Sequence, residues 1–213
     1  MENVWIQDRL SGFISGLSCL CLGAVLVMVW IDPMSWDDGH WVPFAVGLLI
    51  IEFLALHSSV FITNMISNAE SRNQKLKYGI SFFFFYSLMA GGIAAGVGSF
   101  SLVLILAGIM IGRTFAAFTQ DPATLAHTNA RSALGITLYI VLCGATVFID
   151  IPEMGITNSV LADVYPNRGG GVWERHPERA IVAAAVYFAI MGLVEIYWSL
   201  KSDRQETQAI QYD

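Results

Sequence analysis

The chain has 213 residues, of which 55% are hydrophobic, 12% aromatic and only 13% charged. That shortage of charge excludes an ordinary soluble domain and a disordered chain, and a net charge of −6 with no basic stripe excludes nucleic acid as a partner. Clustering of the few polar residues leaves uncharged runs of about 20 residues, the mark of an all-α, polytopic membrane protein.

The first such run is 12–31. One basic residue, Arg9, precedes it and Asp32-Pro33 follows it in place of a small-residue cleavage site, so it is expected to be an uncleaved span. The turn after it gathers Asp32, Asp37, Asp38 and His40. Oxygen and nitrogen ligands of this kind can hold a divalent metal. Asp37, Asp38 and His40 are weak candidates, because their spacing matches no established metal motif. A solvated acidic turn is the plainer explanation.

The second run, 42–64, carries Glu52 near its middle. A carboxylate at the centre of a bilayer is expensive unless it is protonated or paired, so Glu52 is expected to face the bundle interior. At 100° per residue Glu52, Ala55, Ser59 and Thr63 share one face, a small and polar stripe. The stripe suits a proton or cation path, or a carboxyl group that fixes helix register. His57 lies about 140° round the same helix from Glu52, so the two cannot share one ion unless the helix breaks. It is the only histidine within any run, which excludes a bis-histidine haem inside one chain. A hydrogen-bonded core histidine, a proton relay and a ligand shared with another subunit are the roles left for it.

From Tyr78 to Gly112 no residue is charged. A single helix of that length would be roughly 52 Å long, too long for any ordinary tilt. The run must therefore fold back, and Gly96-Val97-Gly98-Ser99 supplies the permissive backbone. That gives spans of about 78–95 and 100–118. Asp121-Pro122 signals the start of a short helix in the following connection. The fifth span covers 132–150, a loop occupies 151–178, and the sixth span, 179–200, leads into a tail of 201–213.

Arg113 and Glu195 fall at similar depth near the same membrane surface and are expected to pair. Glycine pairs at spacing four, Gly12 with Gly16, Gly92 with Gly96 and Gly108 with Gly112, allow close helix contacts. Cys19, Cys21 and Cys143 all lie in apolar runs and act as small hydrophobes, not as a disulfide framework.

Eight of the eleven basic residues fall on one side if the termini are cytoplasmic, and the remaining three, Arg168, Arg175 and Arg179, follow the fifth span. The expected fold is thus a compact six-helix transmembrane bundle with both termini inside, in a plasma membrane of the bacterial inner-membrane kind. The bilayer is its first partner, with a homo-oligomer or a partner membrane subunit as the second. There is no Lys in a span for a retinal Schiff base, no nucleotide motif and no membrane-protease motif, so no cofactor is evident and no enzyme is indicated. Two functions are consistent with this: a subunit or scaffold of a membrane assembly, which the sequence favours, or a small transporter or channel with Glu52 as its exchanging group.

Overall fold

The computed structural model describes the backbone of residues 2–119, 122–166 and 168–210, and the side chains of residues 10, 12–62, 64–66, 68–111, 129–166 and 168–201. The order is α1 (Glu2–Ile31), two 3-10 turns (Pro33–Ser35 and Asp37–Gly39), α2 (Trp41–Ser67), α3 (Arg72–Val97), α4 (Ser101–Thr119), α5 (Pro122–Phe148), α6 (Asn158–Val164), α7 (Val172–Arg175) and α8 (Pro177–Ile210). No strand occurs among the described residues. Five helices are long and apolar enough to cross a membrane, over Gly12–Ile31, Trp41–Ile66, Arg72–Val97, Asn129–Phe148 and Pro177–Lys201. The described apolar part of α4, Ser101–Ile111, is shorter. The sixth expected span therefore rests on α4, whose 19 backbone residues span roughly 28 Å.

Helix ends follow local chemistry. The Ser71 hydroxyl accepts from the Gln74 amide and starts α3. Gly98, at φ 70°, ends it in the left-handed conformation that an L side chain resists, which makes the fold-back into α4. The short helix expected at Asp121-Pro122 is a correction: helix begins at Pro122 and runs on as α5 to Phe148, while Asp121 lies outside the described residues.

α2 is the centre of the bundle. Within its apolar window 67% of residues are buried, against 17% for α3. Contacts along it fix the helix directions. Ser59 meets Ser132 and Phe53 meets Tyr139, so α5 runs antiparallel to α2. Gly47 lies against Val97, and His57 against Tyr86, so α3 is antiparallel as well. Gly47 also meets Leu102, while Ile109 lines one cavity with Leu56 and Ser59 further along, so α4 is parallel to α2. α1 and α8 form the closest seam, again antiparallel. A methyl group on Gly192 would come within 2.7 Å of the Gly16 carbonyl oxygen, so only glycine lets the two backbones approach this far.

The two ends of the bundle differ. At the loop end, residues 151–166 and 168–176 fold as a cap. The Trp30 indole donates to the Pro152 carbonyl at 2.8 Å, and the Gly155 amide donates to the Trp30 carbonyl at 3.1 Å. Ile156, Leu161 and Tyr165 are buried beneath the cap. The Arg179 guanidinium donates to the carbonyls of Thr146 and Val147 and to Asp150, closing the C-terminal end of α5. The other end carries the start of α1, the 68–71 connection, the end of α4, the start of α5 and the end of α8. Between the two ends, Phe84, Leu88, Leu104 and Ile140 are among many large apolar side chains left exposed, a surface suited to lipid.

Candidate functional site

A cavity of about 400 Å³ lies in the half of the bundle nearer the termini, walled by α1, α2, α4, α5 and α8. Three charged side chains line it: Glu52, Arg131 and Glu195. Hydroxyl groups come from Ser15, Ser59, Ser132 and Tyr187, and a thiol from Cys19. Leu56, Ile109, Phe188 and Met191 complete the wall. Helical spacing places these groups. Tyr187, Met191 and Glu195 recur every four residues on α8, so they stand one above another on the face turned to α2 and α5. Arg131, Gly135 and Tyr139 do the same on α5, where Gly135 admits Leu56 and the Tyr187 hydroxyl.

The polar groups hold one another. Tyr187 Oη donates to Glu52 Oε1 at 2.9 Å, and Ser132 Oγ donates to Ser59 Oγ at 3.1 Å. Arg131 Nη2 donates to Glu195 Oε1 in an ion pair. The Arg131 side chain is 42% exposed and that of Glu195 only 3%, so the guanidinium stands at the open end of the pair. Glu195 Oε2 is buried and has no hydrogen-bond partner among the described residues. Beyond Glu52, towards the loop end, Leu26, Val29, Val42, Ala45, Val46 and Leu49 are fully or almost fully buried. The cavity therefore ends in a packed apolar layer.

Each residue singled out from the sequence can now be placed. Glu52 and Ser59 face the cavity, and Ala55 between them is buried. The side chain of Thr63 lies outside the described residues. His57 turns away from Glu52 to α3. Its Nδ1 is 2.9 Å from Tyr86 Oη, and its ring packs against Phe53 and Phe61. The cation placed on Glu195 is Arg131, where the sequence pointed to Arg113, whose side chain lies outside the described residues. Because α5 begins at Pro122, Arg131 stands well inside a helix and does not merely flank a span.

At the loop end, Asp37 and His40 line a separate cleft of about 320 Å³ with Trp41, Phe44 and the Ser99–Ser101 turn; Asp38 is not on it. No three His, Cys, Asp or Glu side chains among the described residues come together as metal ligands. Asp37 and Asp38 instead take positive φ in the tight turn ahead of α2. In the cap, Glu174 Oε2 accepts the Gly171 amide at 2.9 Å, so a carboxylate of the chain itself occupies the triple-glycine turn.

Sequence reasoning missed Arg131, Tyr187, Ser132 and Cys19. The signal was present in the four-residue recurrence back from Glu195 and in the glycine one turn after Arg131. Comparisons with protein families, curated proteins and solved structures find no match to this chain.

Proposed function

We propose that the chain is an integral membrane protein of six crossings with cytoplasmic termini, working as a small secondary transporter that exchanges protons or cations, or a small solute, at Glu52. The observation that carries this is the cavity: a hollow with three charged side chains, closed by apolar packing on its loop side. Buried charge in a span is costly and marks ion and substrate paths, and pockets of about 300–1,000 Å³ with a few convergent polar groups are the usual small-molecule sites. The apolar layer argues against a standing pore and for access from one side at a time. Glu52 would hold a proton in one state and a cation in the next, with Tyr187 keeping its carboxyl group oriented. The direction of α4, parallel to α2 and antiparallel to α3, supports counting it as the sixth crossing.

The role of subunit or scaffold is favoured by a different observation. Among the described residues, nothing outside the helix's own backbone lies within 4 Å of where a side chain would start at Gly92, Gly96 and Gly108, so α3 and α4 offer small-residue faces that no described helix fills. The glycines at 12 and 16, by contrast, are spent on α8.

Flux in proteoliposomes separates the two. Glu52→Gln keeps the shape and should fold normally, yet should abolish pH-dependent cation flux if the exchange is real. Unchanged flux in Glu52→Gln, or no flux in the wild type, removes the transporter and leaves the scaffold. Orientation is read by cysteines placed singly at Gly170 and Asn73 with the native cysteines replaced. An impermeant maleimide should label the first in intact cells and not the second.

A further inference from the structure

We infer that the cleft at the loop end binds a phosphoammonium headgroup, with its quaternary ammonium beside Asp37, Trp41 and Phe44 and its phosphate on the Ser99–Ser101 turn. The inference goes beyond transport at Glu52: it uses a different hollow of about 320 Å³ and none of the same residues. It starts from an accessible carboxylate. Asp37 is exposed and lines the cleft, and its side chain has no hydrogen-bond or ion-pair partner among the described residues. No lysine or arginine among the described residues stands on that wall. Two aromatic rings do. Trp41 and Phe44 have centroids 5.2 Å apart and planes at 71°, so they form the walls of a corner and not a stack. Trp36 backs Trp41 at 75°. An organic ammonium group is attracted by a carboxylate and by aromatic rings alike. Its alkyl skin also suits Pro43 and Val97 on the same wall, which offer a metal ion no side-chain oxygen.

The remaining wall supplies donors. The hydroxyls of Ser99 and Ser101 lie 3.2 Å apart, so one donates to the other and one O–H is left for a ligand. His40 adds a ring N–H. A phosphate joined to the ammonium by a short link brings acceptors to this side. Depth points to where such a group is found. Trp41 opens one apolar helix and Val97 closes another, so the cleft lies where the apolar helices stop, the level of lipid headgroups in a bilayer. Phe100, within the serine turn, is 71% exposed and gives the rim an apolar edge. A phospholipid and a soluble phosphoammonium compound share this chemistry.

Ligand-observed NMR on protein purified in maltoside tests it, at pH 8, where an ordinary histidine ring is neutral. Phosphocholine is compared with 3,3-dimethylbutyl phosphate, which has the same shape with carbon in place of the charged nitrogen. Phosphocholine should bind about tenfold tighter, the scale of one cation–π contact and one partly screened charge pair. The preference should shrink towards unity in Asp37→Asn, since asparagine accepts the same left-handed backbone. It should persist in Asp38→Asn, whose carboxylate is next in sequence but off the cleft. Choline, which lacks the phosphate, should bind about tenfold more weakly than phosphocholine. The comparison of ligands needs no variant, so it stands if Asp37→Asn folds poorly. No binding of phosphocholine, equal binding of its carbon isostere, a preference unchanged in Asp37→Asn, or choline binding as tightly as phosphocholine would each overturn the inference. Dihexanoyl phosphatidylcholine, corrected for its partition into micelles, separates the sources. Binding well above that of phosphocholine supports a lipid of the bilayer, and equal binding supports a soluble compound at the same site.

Discussion

Near the loop end, α1, α2 and α8 meet through Leu26, Val29, Val42, Ala45, Ala180 and Ile181, none of them exposed at all. Further along the same helices, α2 and α8 carry Glu52, Ser59, Tyr187 and Glu195 around a hollow. The α1–α8 seam runs past both regions and holds backbones in contact at Gly16 and Gly192. Apolar packing and close glycine contacts thus hold the bundle together, which leaves the polar half free to keep a hollow lined with charged and hydroxyl groups. In a bilayer, where apolar side chains gain little by leaving lipid, close packing is the main source of helix association. The division implies that stability and site chemistry should respond to different substitutions.

The largest effect tests the seam. Gly192→Leu drives a side chain into the Gly16 carbonyl and Leu20, and overpacking that cannot relax should cost about 3 kcal/mol or more. Loss of the monodisperse peak on size exclusion is the expected outcome. Gly92→Leu adds the same bulk where no described atom beyond its own helix backbone lies within 4 Å, and should melt as the wild type does. If the two behave alike, glycine packing does not carry the fold.

The ion pair comes next. Removing a partner from a fully buried pair costs about 3–5 kcal/mol, but Arg131 is 42% exposed, so about 1–2 kcal/mol is expected for Arg131→Gln. The double exchange of Arg131→Glu with Glu195→Arg should recover part of the loss in thermal melts. A swap no better than the single variants would deny that the two side chains act together.

Smaller still is Tyr187→Phe, which removes one hydrogen bond to Glu52 and should lower stability by about 1 kcal/mol. Its informative readout is flux, which should fall much more than the melting temperature does. Equal falls would assign Tyr187 to packing alone.

The smallest effect belongs to the cap. Burial pushes the Tyr165 phenol above its ordinary value, and Glu174 nearby pushes the same way. The neutral phenol is therefore the form the cap favours. Its contribution is complete below the unfolded value of about 10 and is lost as the pH rises through the higher folded one. Tyr165→Phe should flatten that alkaline loss in cap proteolysis, and a loss that persists in Phe must come from another group.

Much of the fold was legible because long uncharged runs obey simple rules of helix length. A 35-residue uncharged run (78–112) cannot be one helix, and the break came where Gly98 allows positive φ. Glu52 had to face inward, and it does. That Arg131 reaches Glu195 was not legible, because depth counted from the end of an apolar run treats Arg131 as a flanking residue. Only the real start of α5 at Pro122 shows it to be interior. The acidic turn offered ligand types in sequence, yet Asp37 and Asp38 serve a tight turn at positive φ, and in the cap Glu174 holds Gly171 while Glu178 meets His176. Composition counts donors; it does not aim them.

Arg179 has a practical consequence. By gripping Asp150 and the last carbonyls of α5, it pins the departure and the return of the cap segment to one point, like the clasp of a hoop. A hoop closed at its base can be enlarged at its far side cheaply, since each doubling of loop length adds only about 0.6 kcal/mol of closure entropy. Gly170, with open space around it, is where an epitope or a small fusion domain would enter without disturbing the helices, giving a handle for purification and imaging on the capped face.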